Sequence, residues 1–303
     1  MTRNFRFDGR VAVITGAARG LGYAHARLLA TQGAKLVIND LGGNMTGDAA
    51  GAIGPADEAT AALCDAGGIC IADYSDVATP DGATALIDHA LSAFGRLDIL
   101  VNNAGIVKYN DFVAITPTQF QRMLMVHAGG HFFTTQAAWP HMQKQGYGRI
   151  VMTTSGASLF GMSGNADYAC GKGAVLGLTK CLVQEAGASG IKINAVAPNA
   201  MTRMASIVAN TELGQQIAAH LAPEKVSPLV AWLCHESCTL NGEVFDAGGG
   251  HVRRVFIAET VGMADPNLSI ESIAAAMPAI LEESCYTVPP DLQSTTMRMI
   301  QAG

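Results

Sequence analysis

The chain alternates short runs of β-branched and other apolar residues with longer segments in which apolar residues recur at helical spacing. The short runs predict strands at 11–15, 35–39, 69–73, 97–101, 149–153, 192–196 and 243–246. The longer segments predict helices at 23–32, 56–66, 80–94 and near 118–144, and one more helix that carries Tyr168 and Lys172. Strands that alternate with helices are typical of an α/β fold with a doubly wound parallel sheet.

This pattern divides the chain into a large first part and a short second part. Residues 1–250 carry all of the predicted strands, and we expect them to form one Rossmann-type domain that binds a dinucleotide and holds the catalytic residues. Residues 251–303 form a C-terminal extension, in which the apolar spacing over 270–281 predicts a helix and Pro289 and Pro290 interrupt the chain. The alternative for the extension is a loosely packed surface tail.

A glycine-rich turn follows the first predicted strand. The sequence T-G-A-A-R-G-L-G occupies positions 15–22, and a predicted helix begins directly after it. In a βαβ unit, such a turn brings a pyrophosphate close to the amides of a helix N-terminus. We therefore predict cofactor contacts from Thr15, Gly16, Arg19, Gly20, Leu21 and Gly22. The alternative is a turn whose glycines only allow close packing of helix on sheet.

Asp40 stands at the end of the second predicted strand, 24 residues after Gly16. A carboxylate at this place accepts hydrogen bonds from the hydroxyls of the adenosine ribose and repels the additional phosphate of NADP. Arg19 favours the opposite choice, because a basic side chain in the turn can bind that phosphate, although it can also pair with Asp40 or contact the pyrophosphate. We give Asp40 the greater weight and predict NAD as the cofactor.

Two further places are expected to contact the cofactor. Asp76 and Val77 follow the third predicted strand, where an adenine ring would lie. The sequence N-N-A-G follows the fourth predicted strand, and its Asn103, Ala104 and Gly105 can bring the backbone close to the nicotinamide ribose. Asn and Gly are also common turn formers, so this segment is weak evidence when taken alone.

Ser155, Tyr168 and Lys172 are the candidate catalytic residues. On a helix, a spacing of four residues places Tyr168 and Lys172 on one face, with the ammonium group close to the phenol. A nearby cation favours the phenolate, so a phenol whose ordinary pKa is about 10 can exchange a proton near neutral pH. Ser155 follows the fifth predicted strand and can hold a substrate oxygen at the same point. The spacing alone more often marks an ordinary exposed helix pair.

Composition narrows the functional class. The chain has 303 residues, of which 49% are hydrophobic and 15% charged, and this suits a compact fold with a substantial core. A net charge of −6 provides no basic surface for nucleic acid or for an anionic membrane, and no apolar run is long enough to cross a bilayer. The 7 cysteines lack paired spacing, so we expect reduced thiols, no metal site and a cytoplasmic location.

The glycine turn, N-N-A-G, Ser155 and Y-A-C-G-K occur together in the order and spacing of the short-chain dehydrogenase/reductase superfamily, which the chain resembles. Segments such as N-D-L-G-G and A-P-N-A-M-T-R-M resemble, more closely, the D-3-hydroxyacyl-CoA dehydrogenase domains of multifunctional enzymes of type 2, also called 17β-hydroxysteroid dehydrogenase type 4. The similarity covers almost the whole chain. The hydratase and carrier domains that follow in those enzymes have no counterpart, so we expect a free-standing enzyme.

The resemblance implies a role for each candidate residue. Tyr168 would be the catalytic acid/base, Lys172 would bind the nicotinamide ribose and tune Tyr168, and Ser155 would orient the reacting oxygen. Pro198 and Thr202 would contact the nicotinamide carboxamide.

Three other parts of the chain also have a specific interpretation, which for His127 and the C-terminal extension comes from the resemblance. His127 stands where the superfamily commonly has an asparagine, and we interpret it as a packed structural histidine. Residues 199–225, with several methionines, would form a lid over an apolar substrate. The extension would cover the pocket and contribute to the subunit interface of a homodimer or homotetramer.

The sequence therefore predicts an NAD-dependent oxidoreductase that interconverts a secondary alcohol and a ketone on a large apolar substrate. The resemblance implies a 3-hydroxyacyl-CoA or a 17β-hydroxysteroid. One alternative is an NADPH-dependent 3-oxoacyl reductase, which Arg19 favours. Another is a non-catalytic NAD-binding sensor, against which the complete set of Ser155, Tyr168 and Lys172 argues.

Overall fold

The computed structural model describes residues 5–46, 54–200 and 220–302. These residues form one large sheet and one small one. The strands of the large sheet are β1 (Val11–Thr15), β2 (Lys35–Asn39), β3 (Ile69–Asp73), β4 (Ile99–Asn102), β5 (Gly148–Thr153), β6 (Ile191–Pro198), β7 (Val244–Gly248) and β8 (His251–Val255). Their order is β3-β2-β1-β4-β5-β6-β7-β8, and neighbouring strands from β3 to β7 are parallel. The predicted doubly wound parallel sheet is confirmed.

The strand β8 is a difference from the sequence-based prediction, in which the strand at 243–246 was the last one. A tight turn at Gly249 and Gly250, with φ of +58° and +84°, leads from β7 directly into β8. Its side chains are mostly exposed, so the sequence H-V-R-R-V lacks the apolar run that identifies a buried strand.

Helices connect the strands. In the first part of the chain they are α1 (Gly20–Thr31), α2 (Gly54–Asp65), α3 (Pro80–Phe94), α4 (Pro117–Leu124), α5 (Gly130–Gln145), α6 (Gly156–Phe160), α7 (Ala166–Ala186) and α8 (Ser227–Cys234). The single helix predicted near 118–144 is interrupted, because a π-helical segment, Met125–Gly129, joins α4 to α5. Thr79 and Thr116 cap α3 and α4, and a proline follows each cap in the first turn.

The core lies on both faces of the sheet. Strands β1, β2 and β4 bury almost every side chain, which explains why their sequences are continuous apolar runs rather than alternating ones. Helices α1 and α8 pack together over one face, and α3 packs on α5 over the other. This arrangement leaves the loops after the strands at one edge of the sheet.

Residues 255–303 form a second compact unit, separate from residues 1–254. It contains β9 (Glu259–Thr260) paired antiparallel with β10 (Tyr286–Thr287), and the helices α9 (Ile270–Ile280) and α10 (Leu292–Ala302). Ser269 and Ser272 form a capping box at the start of α9. The expected roles of this unit in covering the pocket and in subunit contact stay predictions. Within the described part of the chain, no helix has the length and apolar character needed to span a bilayer.

Candidate active site

A cavity of about 770 Å³ lies at the carboxyl edge of the sheet, where the strand order reverses between β1 and β4. Ligands of doubly wound sheets bind at this kind of position. Most of the residues predicted for the site line this cavity: Gly16, Arg19, Gly20, Leu21, Asp40, Asp76, Val77, Asn103, Ala104, Gly105, Ser155, Tyr168, Lys172 and Pro198. Thr15 and Gly22 are not among its lining residues. Thr202 and the methionines of the predicted lid lie outside the described residues.

Thr15 and Asn103 join the glycine turn to the loop after β4. The Thr15 hydroxyl accepts hydrogen bonds from the backbone amides of Asn103 and Ala104, at 2.9 and 3.0 Å. The Asn103 side chain in turn donates to the carbonyl oxygens of Thr15 and Gly16, at 2.9 and 3.1 Å. The two loops that flank the reversal point are therefore held together before any ligand binds.

Close packing requires two of the glycines in the turn. Gly16 has φ of +63°, and a Cβ atom there would lie 2.8 Å from Cα of Ala104. A Cβ atom on Gly22 would lie 2.3 Å from the carbonyl oxygen of Gly16. The packing alternative considered for the turn therefore describes these two glycines well, and it does not exclude cofactor binding by the rest of the turn.

The N-terminus of α1 faces the cavity. Arg19, at the N-cap position, makes no capping hydrogen bond with its side chain, and Gly20 and Leu21 line the cavity. The first amides of a helix have no partner within the helix and attract anions. A pyrophosphate fits this place.

Asp40 is held in a fixed position beside the turn. Its carboxylate accepts hydrogen bonds from the amides of Ala18 and Gly42, at 3.1 and 2.8 Å. Arg19 is exposed, and no ion pair joins it to Asp40 in the described structure. Of the arrangements considered from the sequence, direct pairing of Arg19 with Asp40 is thus not the one observed.

Asp76 and Val77 line the cavity in the loop after β3. One Asp76 oxygen accepts from the amide of Ala78 at 3.0 Å, and the other lies 3.6 Å from a guanidinium nitrogen of Arg122. Arg122, on α4, also lines the cavity.

Ser155, Tyr168 and Lys172 all line this cavity. Ser155 is the N-cap of α6, and its hydroxyl accepts from the amide of Ala157 at 3.2 Å. Tyr168 and Lys172 lie one turn apart on α7, and the Lys172 ammonium donates to the carbonyl oxygen of Thr153 at 2.8 Å. All three side chains therefore meet in one cavity with the glycine turn.

Burial dominates the proton affinities of this group. It lowers the pKa of Lys172 to about 7, because the buried ammonium loses its hydration. It also raises the pKa of the Tyr168 phenol above 10, and a hydrogen bond with Ser155 acts in the opposite direction. The expected lowering of the Tyr168 pKa by the neighbouring cation is therefore not seen in this structure. The physical reason is that desolvation disfavours the charged form of both groups at once.

The comparisons with known proteins agree with this geometry. Residues 10–216 match the family described as short chain dehydrogenase. The chain belongs to the short-chain dehydrogenase/reductase family. Members of this family are oxidoreductases that use a nicotinamide cofactor.

Two curated relatives of this family are similar over most of the chain. The mouse peroxisomal multifunctional enzyme type 2 is 37% identical over 99% of this chain, which spans only 40% of that protein. A short-chain type dehydrogenase/reductase of Mycobacterium tuberculosis is 40% identical over 91% of this chain and 95% of its own length. The resemblance to the type 2 multifunctional enzymes is confirmed.

Two solved structures share the fold. The full-length multifunctional enzyme type 2 of Drosophila melanogaster has a TM-score of 0.81 at 28% identity, covering 98% of this chain and 49% of that one. A 7α-hydroxysteroid dehydrogenase complexed with NADH and 7-oxo glycochenodeoxycholic acid has a TM-score of 0.73 at 28% identity, covering 82% of this chain and 98% of that one.

His127 lies at the centre of the π-helical segment and is completely buried. Its Nε2–H donates to the carbonyl oxygen of Ile106 at 2.8 Å, and its ring packs edge-on against Tyr168 with centroids 5.0 Å apart. A Cβ atom on Gly105 or on Gly171 would lie within 3 Å of this side chain. Burial and the charge of Lys172 hold the pKa of His127 well below its usual range, so the ring is neutral. This packing agrees with the structural role expected for His127.

Several lining residues were not predicted from the sequence. They are Tyr109, Arg122, Phe160, Met162, Asn165 and Arg253. They lie in loops, on helix faces or, for Arg253, on the exposed strand β8, and the sequence motifs give no signal for them. His131 was also missed; its Nε2 accepts from the amide of Thr153 at 3.3 Å, directly beside the lysine contact.

Proposed function

We propose that the protein is an NAD-dependent oxidoreductase that interconverts a secondary alcohol and a ketone. The observation that carries this proposal is the meeting of Ser155, Tyr168 and Lys172 with the N-terminus of α1 in one cavity. A dinucleotide sensor needs the helix N-terminus and Asp40, but it has no use for a half-buried phenol one helical turn from a buried amine.

The proposed mechanism assigns one task to each side chain. The nicotinamide, when bound, supplies a hydride acceptor in the oxidative direction. Ser155 donates a hydrogen bond to the substrate oxygen and holds it at the Tyr168 phenol. Tyr168, as the phenolate, removes the hydroxyl proton, and in the reverse direction the phenol returns it. Lys172 favours the phenolate whenever it carries its charge.

The preference for NAD is supported by Asp40. Two backbone amides fix its carboxylate at the end of β2, so it cannot swing away from an additional phosphate. This carboxylate would repel the additional phosphate of NADP, whereas it would accept hydrogen bonds from the ribose hydroxyls of NAD.

The second candidate is an NADPH-dependent 3-oxoacyl reductase, which Arg19 favours. Arg19 is exposed, lines the cavity, and has no ion-pair partner in the part of the chain that the structure describes. Such a guanidinium is available for a phosphate.

The substrate side of the cavity, which we define by Tyr109, Phe160 and Met162, supports a large apolar substrate. Phe160 and Met162 are 72% and 55% exposed, and a bound apolar group would remove this surface from water. We propose a 3-hydroxyacyl-CoA or a hydroxysteroid, in keeping with the resemblance to the type 2 multifunctional enzymes.

We propose a homodimer or homotetramer in the cytoplasm. Apolar side chains of α9 and α10, including Ile270, Leu292 and Met299, are largely exposed, and a subunit interface would bury such surface. All seven cysteines are free thiols, as a reducing compartment requires. Sedimentation velocity measures the assembly, and a monomer at all concentrations would contradict this part of the proposal.

The experiment that tests the function is a matrix of cofactors and alcohols followed by the absorbance of reduced nicotinamide. The alcohols are 3-hydroxyacyl-CoA thioesters of increasing chain length and hydroxysteroids, each offered with NAD and with NADP. We expect turnover with NAD to exceed turnover with NADP by at least about tenfold in kcat/KM, because the fixed carboxylate of Asp40 would repel the additional phosphate of NADP. A preference for NADP would favour the second candidate, and the absence of turnover while NAD still binds would favour the sensor.

A further inference from the structure

A second phenol stands beside Tyr168 on the substrate side of the cavity. Tyr109 lies in the loop after β4 and lines the cavity with half of its surface exposed. Tyr168 lines the same cavity, and besides burial, which is the main cause, the Tyr109 phenol contributes to raising the pKa of Tyr168. The proposed mechanism gives Tyr109 no task.

The loop that carries Tyr109 is fixed on both sides of this residue. The amide of Val107 donates to the carbonyl oxygen of Met45 at 2.8 Å, and the amide of Asn110 donates to that of Gly164 at 3.0 Å. Tyr109 therefore projects from a short segment with two anchored neighbours, which limits where its hydroxyl can go.

A chain of hydrogen bonds connects the Tyr109 loop to Tyr168. The Asn110 side chain donates to Gln119 at 3.0 Å, and the Gln119 side chain donates to the buried carboxylate of Asp167 at 2.7 Å. The other oxygen of Asp167 accepts from the amide of Tyr168 at 2.8 Å. The residue after Tyr109 and the residue before Tyr168 are thus joined through one glutamine, so the backbone segments that carry the two phenols are connected at the cavity.

Two adjacent O–H donors suit a substrate with two adjacent oxygens. A 3-hydroxyacyl or 3-oxoacyl thioester carries its reacting oxygen on C3 and a carbonyl oxygen on C1, with one methylene carbon between them. A hydroxysteroid whose alcohol stands alone on its ring has no second oxygen within reach of Tyr109.

We propose that Tyr109 is a specificity-determining residue whose phenol donates a hydrogen bond to the thioester carbonyl of a 3-hydroxyacyl or 3-oxoacyl substrate. Ser155 and Tyr168 hold the C3 oxygen at the same time, and the acyl chain lies along Phe160 and Met162. This inference rests on the proposed function and chooses the acyl thioester over the hydroxysteroid.

The test compares Tyr109→Phe with the parent protein on two ketones in the presence of NADH. The first is 3-oxooctanoyl-CoA, and the second is a methyl ketone of similar chain length without a thioester. We expect kcat/KM for the thioester to fall by about tenfold, as for loss of one hydrogen bond to a carbonyl in a partly desolvated site, and kcat/KM for the methyl ketone to stay within about twofold. The same fall for both ketones, or no fall for either, would overturn the assignment.

A matched control removes a phenol oxygen elsewhere. Tyr147 packs between the guanidinium groups of Arg10 and Arg149, outside the cavity, and Tyr147→Phe keeps the ring in place. We expect it to leave both kcat/KM values unchanged. Unfolding midpoints of both variants check that the fold is intact.

Failure of the proposed function has a separate signature. If the parent protein reduces neither ketone, hydride transfer on these substrates is excluded, and binding of 3-oxooctanoyl-CoA to the NADH-loaded protein by calorimetry then tests Tyr109. An affinity lowered about tenfold in Tyr109→Phe supports the contact. Equal affinity, or no binding to the parent protein, overturns it. Turnover of hydroxysteroids alone would also overturn it.

Discussion

The cofactor side of the cavity and the substrate side are constructed differently. On the cofactor side, Thr15, Asn103 and Asp40 are held by short hydrogen bonds to backbone groups of neighbouring loops. On the substrate side, Phe160 and Met162 extend largely exposed side chains from the segment around α6. The first side is specified by backbone geometry that few sequences can form, whereas the second is specified by side chains that can change without disturbing the fold.

The largest expected effect comes from Tyr168, which stands between the two sides. Tyr168→Phe removes the proposed proton donor and keeps the ring that packs on His127. We expect kcat to fall by about 10³-fold, since general acid–base catalysis contributes this order of magnitude, while the Kd for NAD stays within about twofold. A steady-state assay of the absorbance of reduced nicotinamide measures kcat, and calorimetry measures the Kd for NAD. An unchanged kcat would remove Tyr168 from the mechanism.

The next effect concerns the choice of cofactor. Asp40→Asn removes the charge and keeps the shape of the side chain. We expect the ratio of kcat/KM for NAD to that for NADP to fall by about 10- to 100-fold, because hydrogen bonds to a charged group contribute about 1.5–3 kcal/mol. The companion variant Arg19→Ala should lower kcat/KM for NADP more than kcat/KM for NAD. If the ratio stays as in the parent protein, the fixed carboxylate does not determine cofactor choice.

A smaller effect is expected on the substrate side. Phe160→Ala removes a ring that is 72% exposed, so the unfolding free energy should hardly change. For long-chain substrates, we expect KM to rise about tenfold if the chain buries some 60 Å² of this ring, at about 25 cal/mol per Å². The KM for NAD and the KM for the shortest substrates should stay constant. Phe112→Ala is the matched control, because Phe112 is 78% exposed and does not line the cavity.

The smallest expected effect concerns His131, whose Nε2 accepts a hydrogen bond from the amide of Thr153. Burial lowers the pKa of His131 to about 3, below its value of about 6.5 in an unfolded chain. As the pH falls below 6.5, protons bind preferentially to the unfolded state. The contribution of His131 to the free energy of unfolding is therefore complete above pH 6.5 and decreases as the pH falls toward 3. Between pH 7 and pH 6, we expect a loss of about 0.7 kcal/mol from this one residue.

Urea unfolding at the two pH values checks this expectation in His131→Gln, which should lose about 0.7 kcal/mol less than the parent protein. His25 is the matched comparison, because burial also lowers its pKa to about 3 and its ring bonds to Ser227 outside the cavity. His25→Gln should show the same reduced pH dependence with unchanged kinetics. An unaltered pH dependence in both variants would mean that the pKa of each ring is the same in the folded and unfolded states.

The cofactor side could be predicted from the sequence, and the substrate side could not. The spacing from Gly16 to Asp40 follows from the length of one βαβ unit, so local pattern locates both residues. Tyr109 and Phe160 reach the cavity only because Asn110 bonds to Gly164 and because α6 follows β5 closely. The first contact joins segments that are distant in the chain, and the second depends on a short connection; no local periodicity encodes either of them.

The same reasoning explains two differences between the structure and the sequence-based predictions, one in the fold and one in the site. Strand β8 was missed because its exposed side chains carry no burial pattern, and its existence depends on the Gly249–Gly250 turn. The Tyr168 pKa was expected to fall because charge spacing is visible in a sequence, whereas the degree of desolvation is not.

The π-helical segment Met125–Gly129 also determines how this chain can change in length. A π-helical turn holds one residue more than an α-helical turn, so one deletion within the segment would produce a regular α-helix and keep α4 and α5 nearly in register. Met123 before the segment and His131 after it are both buried, and both could keep their places after such a deletion. The additional residue therefore affects the surroundings of His127 more than the orientation of the two helices.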